Sequence, residues 1–292
     1  MTPDEFRMPL PLRDHSDSLA AAILAADRVL LCTDFDGTLM PLQDDAASCR
    51  LNASVREMLV ALHTPPQMHV AIVSGRRLAD LRDRVGIAAI TSAGNHGLEI
   101  EGRGMMFREP TAVACQAVLE SLADDLDAFL SGIDGAHLER KGLSLTIHIR
   151  QVHADAVAAI RAVVVRAVEG TRTLGRLRIR GGKGVIEVRP NVDWDKGCAV
   201  EWLADRLGCA PGSRVFIGDD DTDEDAFAAC RQDISIRVGS PDTPTAARYV
   251  AEPADVRHLL AVMAGRIADF TAHPVVPAAR GRHPPADEGR GR

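Results

Sequence analysis

The segment VLLCTDFDGTLMPL, residues 29–42, closes an apolar run with two aspartates, Asp34 and Asp36, one residue apart and followed by Gly37 and Thr38. Carboxylates held together at the end of a buried strand are costly unless a cation or a proton offsets their charge. The pair therefore calls for a metal ion. With one carboxylate kept ionised by that ion, the two could divide the roles of nucleophile and proton donor. Two other apolar runs also end in chemistry. HVAIV leads into Ser74-Gly75-Arg76, and RVFI leads into GDDDTDEDAF, residues 218–227. Ligands of an open parallel sheet bind at the carboxyl ends of its strands, so the three stretches are expected to meet in one crevice.

Each feature also has a plainer explanation. Six acidic residues among positions 219–225 suit a solvated helix start, where acids favour the dipole, and Glu224 and Asp225 are assigned to that role. An EF-hand is excluded: counted from Asp219, its glycine position holds Glu224 and its closing glutamate position holds Cys230. Asp219 and Asp220, at the strand exit, are better read as ligands of a hard divalent cation. Mg²⁺ prefers one or two carboxylates together with phosphate oxygens and water. Ser74 lacks the preceding glycine of a hydrolase nucleophile elbow. Neither a phosphate-binding GxxxxGK[ST] loop nor a strand-borne GxGxxG is present. Lys196, in NVDWDKG, is an ordinary solvated lysine unless it neutralises the acidic cluster.

The elements that must position these residues alternate. RVLLCTDF and MHVAIVSGR read as buried strands, and AAITSAGNHGLEI as a strand and a turn. NASVREMLVALHT, with Val55, Leu59 and Leu62 as its apolar row, reads as a helix. RLADLRDRVG is a short helix closed by Gly86. CAVEWLADRLG and SRVFIGDD repeat the helix–strand order. Such alternation predicts an α/β fold with a doubly wound parallel sheet. The middle of the chain differs. It has two helical stretches, TAVACQAVLESLADDLDAFL and HADAVAAIRAVVVRAVEG. LSLTIHIR alternates strictly and is expected to be a half-exposed antiparallel strand. A hairpin is expected around Gly181 to Gly184. The predicted organisation is a loose arm over residues 1–16, a core of 17–101 and 190–270, an inserted α/β cap of 102–189, and a disordered Pro-, Gly- and Arg-rich tail of 271–292.

The 292 residues are 46% hydrophobic and carry a net charge of −7, which argues against a nucleic-acid partner. Aromatic residues at 3% leave little for base stacking. Cys32, Cys49, Cys115, Cys198, Cys209 and Cys230 form no CxxC pair, which points to a reducing, cytoplasmic setting. The N-terminal stretch, with Asp4, Glu5 and Arg7, does not read as a signal peptide, and the apolar run 19–32 is too short to span a bilayer.

The order DxDGT, strand-end SGR, lysine, GDD…D resembles the haloacid dehalogenase-like phosphatases, over roughly residues 27–101 and 190–265. The resemblance implies Asp34 as nucleophile, Asp36 as acid and then base, Ser74 as a phosphoryl hydrogen-bond donor and Lys196 as a charge neutraliser. It implies Mg²⁺ held by Asp34, the Asp36 carbonyl and Asp219, with Asp220 or Asp223 in support. GNHGLE, ERKGLSLTIHIR and GGKGVIEVRP are similar to stretches of trehalose-6-phosphate phosphatases. By that likeness Gly75, Arg76, Asn95, His96, Glu139, Lys141, Arg150, Lys183 and Glu187 bind a small sugar phosphate. Glu187 and Arg189 on a solvent face of the hairpin, and His148 as an ordinary polar-face histidine, are the plainer readings. Ile149 departs from the aromatic that many members carry after the histidine. The expected activity is hydrolysis of trehalose 6-phosphate. Sucrose phosphate, mannosyl-phosphoglycerate or a hexose phosphate are the alternative substrates, and a receiver-type phospho-acceptor is a rival of another class. A receiver would need neither Asp36 nor a cap.

Overall fold

A computed structural model describes residues 8–41, 49–171, 175–182, 184–240 and 244–272. Among the described residues, thirteen strands form two sheets. The larger has nine strands: β1 (Leu10–Pro11), β2 (Val29–Thr33), β3 (Met68–Val73), β4 (Thr91–Gly94), β5 (Glu99–Gly102), β6 (Met105–Arg108), β11 (Arg214–Gly218), β12 (Ile234–Val238) and β13 (Tyr249–Ala251). Its order is β1-β13-β12-β11-β2-β3-β4-β5-β6, parallel up to β4 and antiparallel across β4-β5-β6. The chain winds outward from β2 in one direction and from β11 in the other. The switch point between these two strands is where a crevice opens.

The central strands are apolar on both faces because helices cover both. Val29, Leu31, Val215 and Ile217 pack with α1 (Ser16–Leu24), α2 (Ala53–His63), α3 (Leu78–Val85) and α8 (Pro253–Ala272). Leu30, Cys32 and Phe216 face α6 (Lys196–Leu207) and α7 (Glu224–Ala229) instead. Val55, Leu59 and Leu62 are the buried row of α2, and Gly86 closes α3 in the left-handed region at φ 61°. The second sheet, β7 (His137–Arg140), β8 (Leu145–His148), β10 (Val185–Pro190) and β9 (Leu177–Gly182), is antiparallel. One face packs on α4 (Pro110–Leu130) and α5 (Ala154–Glu169) through its own apolar cluster.

Three expectations change. Residues 8–16 are not a loose arm: β1 pairs with β13, and Leu12 is buried in the core. A two-residue strand has too little sequence to announce itself. The cap boundary expected at 102 falls inside a hairpin of the large sheet, β5–β6, so the second layer begins with α4. β8 is not half-exposed, since Ser144 and Thr146 on its polar face are buried. Residues 1–7, Lys183 and residues 273–292 of the expected tail lie outside the described residues. Among the described residues no helix is long and apolar enough to cross a membrane.

Candidate active site

Asp34 is the first residue past β2, and its backbone N–H donates to the Ile217 carbonyl of β11 at 2.8 Å. The side chain is thereby fixed at the switch point. Lys196, the first residue of α6, reaches it: Nζ donates to Asp34 Oδ1 at 2.7 Å and to Asp223 Oδ1 at 2.6 Å. The helix start is set by Asp195, whose carboxylate accepts from the Cys198 N–H. Lys196 is only 2% exposed and Asp223 fully buried, so this lysine is the neutraliser and not a solvated one.

Asp219 completes the cluster. One ligand oxygen from each of Asp34, Asp219 and Asp223 lies within 4.8 Å of the others. Asp219 Oδ1 accepts from Thr38 at 2.9 Å, and Asp223 Oδ2 accepts from the Asp220 N–H. Glycine is required beside them. At Gly37, with φ +82°, an added Cβ would lie 2.1 Å from Asp219 Oδ2. Three carboxylates face one ammonium. Burial raises the Asp34 carboxyl well above its ordinary range, with Lys196 opposing and Asp223 and Asp219 adding. Burial, with Asp223, pushes Asp219 up to about 6. Burial works against the Lys196 ammonium, yet Asp223 and Asp34 hold it above its usual value. An excess of buried carboxylate oxygen, with glycine clearing the space, fits a hard divalent cation. Asp34 and Asp219 are the better ligands, because both oxygens of Asp223 are already engaged.

Asp220, expected as a ligand, is exposed. Its side chain caps the turn Asp221–Asp223 by accepting from the Asp221 N–H at 2.8 Å. The cap sets the turn, and the turn aims Asp223 inward in its place. Asp36, expected as acid and base, is held by an arginine. Both of its oxygens accept from Arg76 at 2.6 Å, and Arg76 further pairs with Asp80. Arg76, expected at the substrate, thus holds Asp36. Ser74, buried at the end of β3, accepts from the Arg76 N–H at 3.3 Å.

The polar face of the second sheet covers the loop after β4. Lys141 Nζ donates to the Gly75 carbonyl at 3.1 Å. Asn95 Nδ2 donates to the Lys141 carbonyl at 3.0 Å and to Glu99 at 2.8 Å, while its Oδ1 accepts from Ser144 at 2.7 Å. Asn95 and His96 take positive φ, 49° and 58°. His96 meets Glu187 at 3.1 Å, and Glu187 also pairs with Arg189 at 3.1 Å; both cap residues are buried, not on a solvent face. Burial lowers the His96 pKa, with Glu187 opposing. Glu139 meets His148 at 3.0 Å. Arg150, beyond β8 and beside the Gly184 turn, is exposed.

The sequence pointed to no site role for Ser144 or Arg237, offered Thr38 only as part of DFDGT, and suggested a solvent-facing Arg189. Glu224, assigned to solvent, is instead held by Arg237 at 3.0 Å.

Residues 32–254, about three quarters of the chain, match the model of the trehalose-phosphatase family. A trehalose-phosphate phosphatase of Mycobacterium marinum is 40% identical over 210 residues, 70% of this chain and 52% of the relative. A trehalose 6-phosphate phosphatase of Zea mays is 34% identical over 280 residues, 88% of this chain and 75% of the relative. The chain spans about half the length of the mycobacterial relatives. The C-terminal domain of the trehalose-6-phosphate phosphatase of C. albicans shares the fold, with a TM-score of 0.74 at 23% identity over 89% of this chain and 98% of that one. The strand-end aspartates, the bridging lysine and the family match agree: this chain belongs to the trehalose-phosphatase family.

Proposed function

We propose that the chain is a Mg²⁺-dependent phosphatase that hydrolyses trehalose 6-phosphate to trehalose and phosphate. The observation that carries this is the buried Asp34, bridged by Lys196 to Asp223 and set beside Asp219, beneath a polar cap face. A phosphoryl group carries charge on three oxygens, and Lys196 is a fixed cation where that charge would lie. Asp34 and Asp219 would hold Mg²⁺, which when bound supplies further charge stabilisation at the phosphoryl oxygens.

Asp34 attacks phosphorus, and the bond from phosphorus to the sugar oxygen breaks. Asp36 gives that oxygen its proton. Water then attacks phosphorus, Asp36 takes a proton from it, and the bond to Asp34 breaks, freeing phosphate and restoring the carboxylate. In the structure Arg76 occupies both oxygens of Asp36. Asp36 must therefore leave Arg76 to deliver a proton, and a phosphate dianion offers the guanidinium another partner. Ser74 would hydrogen-bond the phosphoryl group. Lys141, Glu187, His96 and Glu139 supply donors and acceptors suited to sugar hydroxyls, and Asn95 holds the layers together. All six cysteines are unpaired, which supports a reducing compartment such as the cytosol.

The test is phosphate release from trehalose 6-phosphate, sucrose 6-phosphate, glucose 6-phosphate and mannosyl-phosphoglycerate, with Mg²⁺ and with chelator. The highest kcat/KM on trehalose 6-phosphate, lost in chelator, is expected. A higher value on another sugar phosphate would reassign the substrate and keep the core chemistry.

A further inference from the structure

We infer that Arg237 is a positioning residue for the divalent cation, acting through the loop that carries Asp219 and Asp223. Arg237 lies on β12, with its Cα paired to Gly218 of β11, the residue before Asp219. It is 3% exposed, a charge held almost wholly out of water. Its NH1 donates to the Asp220 carbonyl and to Glu224 Oε1, each at 3.0 Å, and its NH2 to Asp221 Oδ1 at 3.4 Å. Glu224 Oε2 in turn accepts from the Ala246 N–H at 2.7 Å. One guanidinium therefore clamps both ends of the segment 220–224. Inside that clamp, Asp223 turns to Lys196; just before it, Asp219 turns to Thr38.

A planar fork with several fixed donors is needed to hold a carbonyl and two carboxylates at once, which an ammonium does less well. The arrangement also occupies Asp221 and Glu224. Without it these acids would be rival ligands a few residues from Asp219. Groups that orient metal ligands from outside commonly change metal affinity 10–100-fold when replaced.

Two effects of substitution oppose one another. Removing the charge makes the neighbourhood more negative and would draw a cation in, whereas releasing the loop would weaken the site. Arg237→Lys separates them, because it keeps the charge and loses the fork. The experiment is calorimetric titration of Mg²⁺ alone into the chelator-treated full chain, for wild type, Arg237→Lys and Glu224→Gln. It is paired with kcat at saturating Mg²⁺ and with the circular-dichroism spectrum of each variant. For Arg237→Lys we expect a dissociation constant raised roughly tenfold or more, with kcat at saturating Mg²⁺ within about threefold of wild type. Glu224→Gln leaves the guanidinium on the Asp220 carbonyl and should raise it less. An unchanged dissociation constant in a folded Arg237→Lys chain overturns the inference, as does a lost kcat with affinity intact. If Arg237→Lys does not fold, an unchanged constant in Glu224→Gln overturns it. The inference rests on the cation proposed above; wild type that takes up no Mg²⁺ would sink that assignment first, and is distinguishable because no variant is then needed.

Discussion

Lys196→Met removes the one cation seen among Asp34, Asp223 and Asp219. In chelator, three buried carboxylates would then face each other with ligand oxygens within 4.8 Å. Deleting one partner of a buried ion pair costs about 3–5 kcal/mol, because the other charges stay desolvated and unmatched. For a chain of this size each kcal/mol moves Tm by about 2–4 °C, so a fall of roughly 6–20 °C is expected at neutral pH. The pH dependence follows from the carboxyls. Burial already raises the Asp34 pKa, with Lys196 the leading opposing influence, so the variant's pKa is higher still. A carboxyl whose folded-state pKa exceeds its unfolded value contributes stability that is complete below the unfolded pKa and is lost as pH rises through the folded one. The deficit of Lys196→Met should therefore shrink on acidification below about 6, where Asp219 also takes up its proton, and grow above it. Scanning calorimetry in chelator across that range reads the effect, and added Mg²⁺ should restore Tm more in the variant than in wild type. A deficit under about 1 kcal/mol, or one independent of pH, would show that Lys196 does not bridge desolvated carboxylates.

Asp34→Asn should fold normally and lose about three or more orders of magnitude in kcat, as loss of a covalent nucleophile does; steady-state phosphate release and a thermal melt check both halves. Because burial and Asp223 push the Asp219 carboxyl up to about 6, Mg²⁺ affinity should fall roughly tenfold per pH unit below that value, and calorimetric affinities flat from pH 7 to about 5 would contradict the ligand assignment. Gly37→Ala forces a Cβ onto Asp219 in a left-handed backbone, so the Mg²⁺ needed for half-activity should rise at least about tenfold. Asn95→Gly keeps the positive φ but loses three side-chain hydrogen bonds, with Glu99, Lys141 and Ser144, and the burial that accompanies them; about 2–4 kcal/mol less stability is expected by denaturant titration, with Asn95→Ala lower still for backbone strain.

The catalytic half of the site was legible because each ligand follows an apolar run. A strand buried on both faces has to be continuous in Val, Ile and Leu, so Asp34, Ser74 and Asp219 stand out at its end. What pairs with them was not, because pairing is set by topology. Arg76 meets Asp36 across 40 positions, and nothing in SGR distinguishes a guanidinium aimed at substrate from one held by a neighbouring strand's acid. Asp220 and Asp223 are alike in sequence; the phase of one short turn exposes the first and buries the second. Arg237 sits in an ordinary strand, ISIRV, and gains its role only from the loop packed against it. Alternation in LSLTIHIR correctly marked a polar face on β8. Alternation cannot say whether water or another layer covers that face, and here Asn95 and its neighbours do. The hairpin at 99–108 alternates alike in either sheet, which is why the cap boundary was misplaced.

In the proposed reaction the phosphoryl group passes through Asp34. Two in-line displacements at phosphorus restore its configuration, whereas direct attack by water inverts it. Hydrolysis of the 6-phosphorothioate of trehalose, made chiral at phosphorus with ¹⁸O, in water enriched in ¹⁷O releases a chiral inorganic thiophosphate, whose configuration reads the difference directly. Retention is the predicted result. Inversion would rule out the covalent intermediate and leave Asp34 as a metal ligand that never bonds to phosphorus.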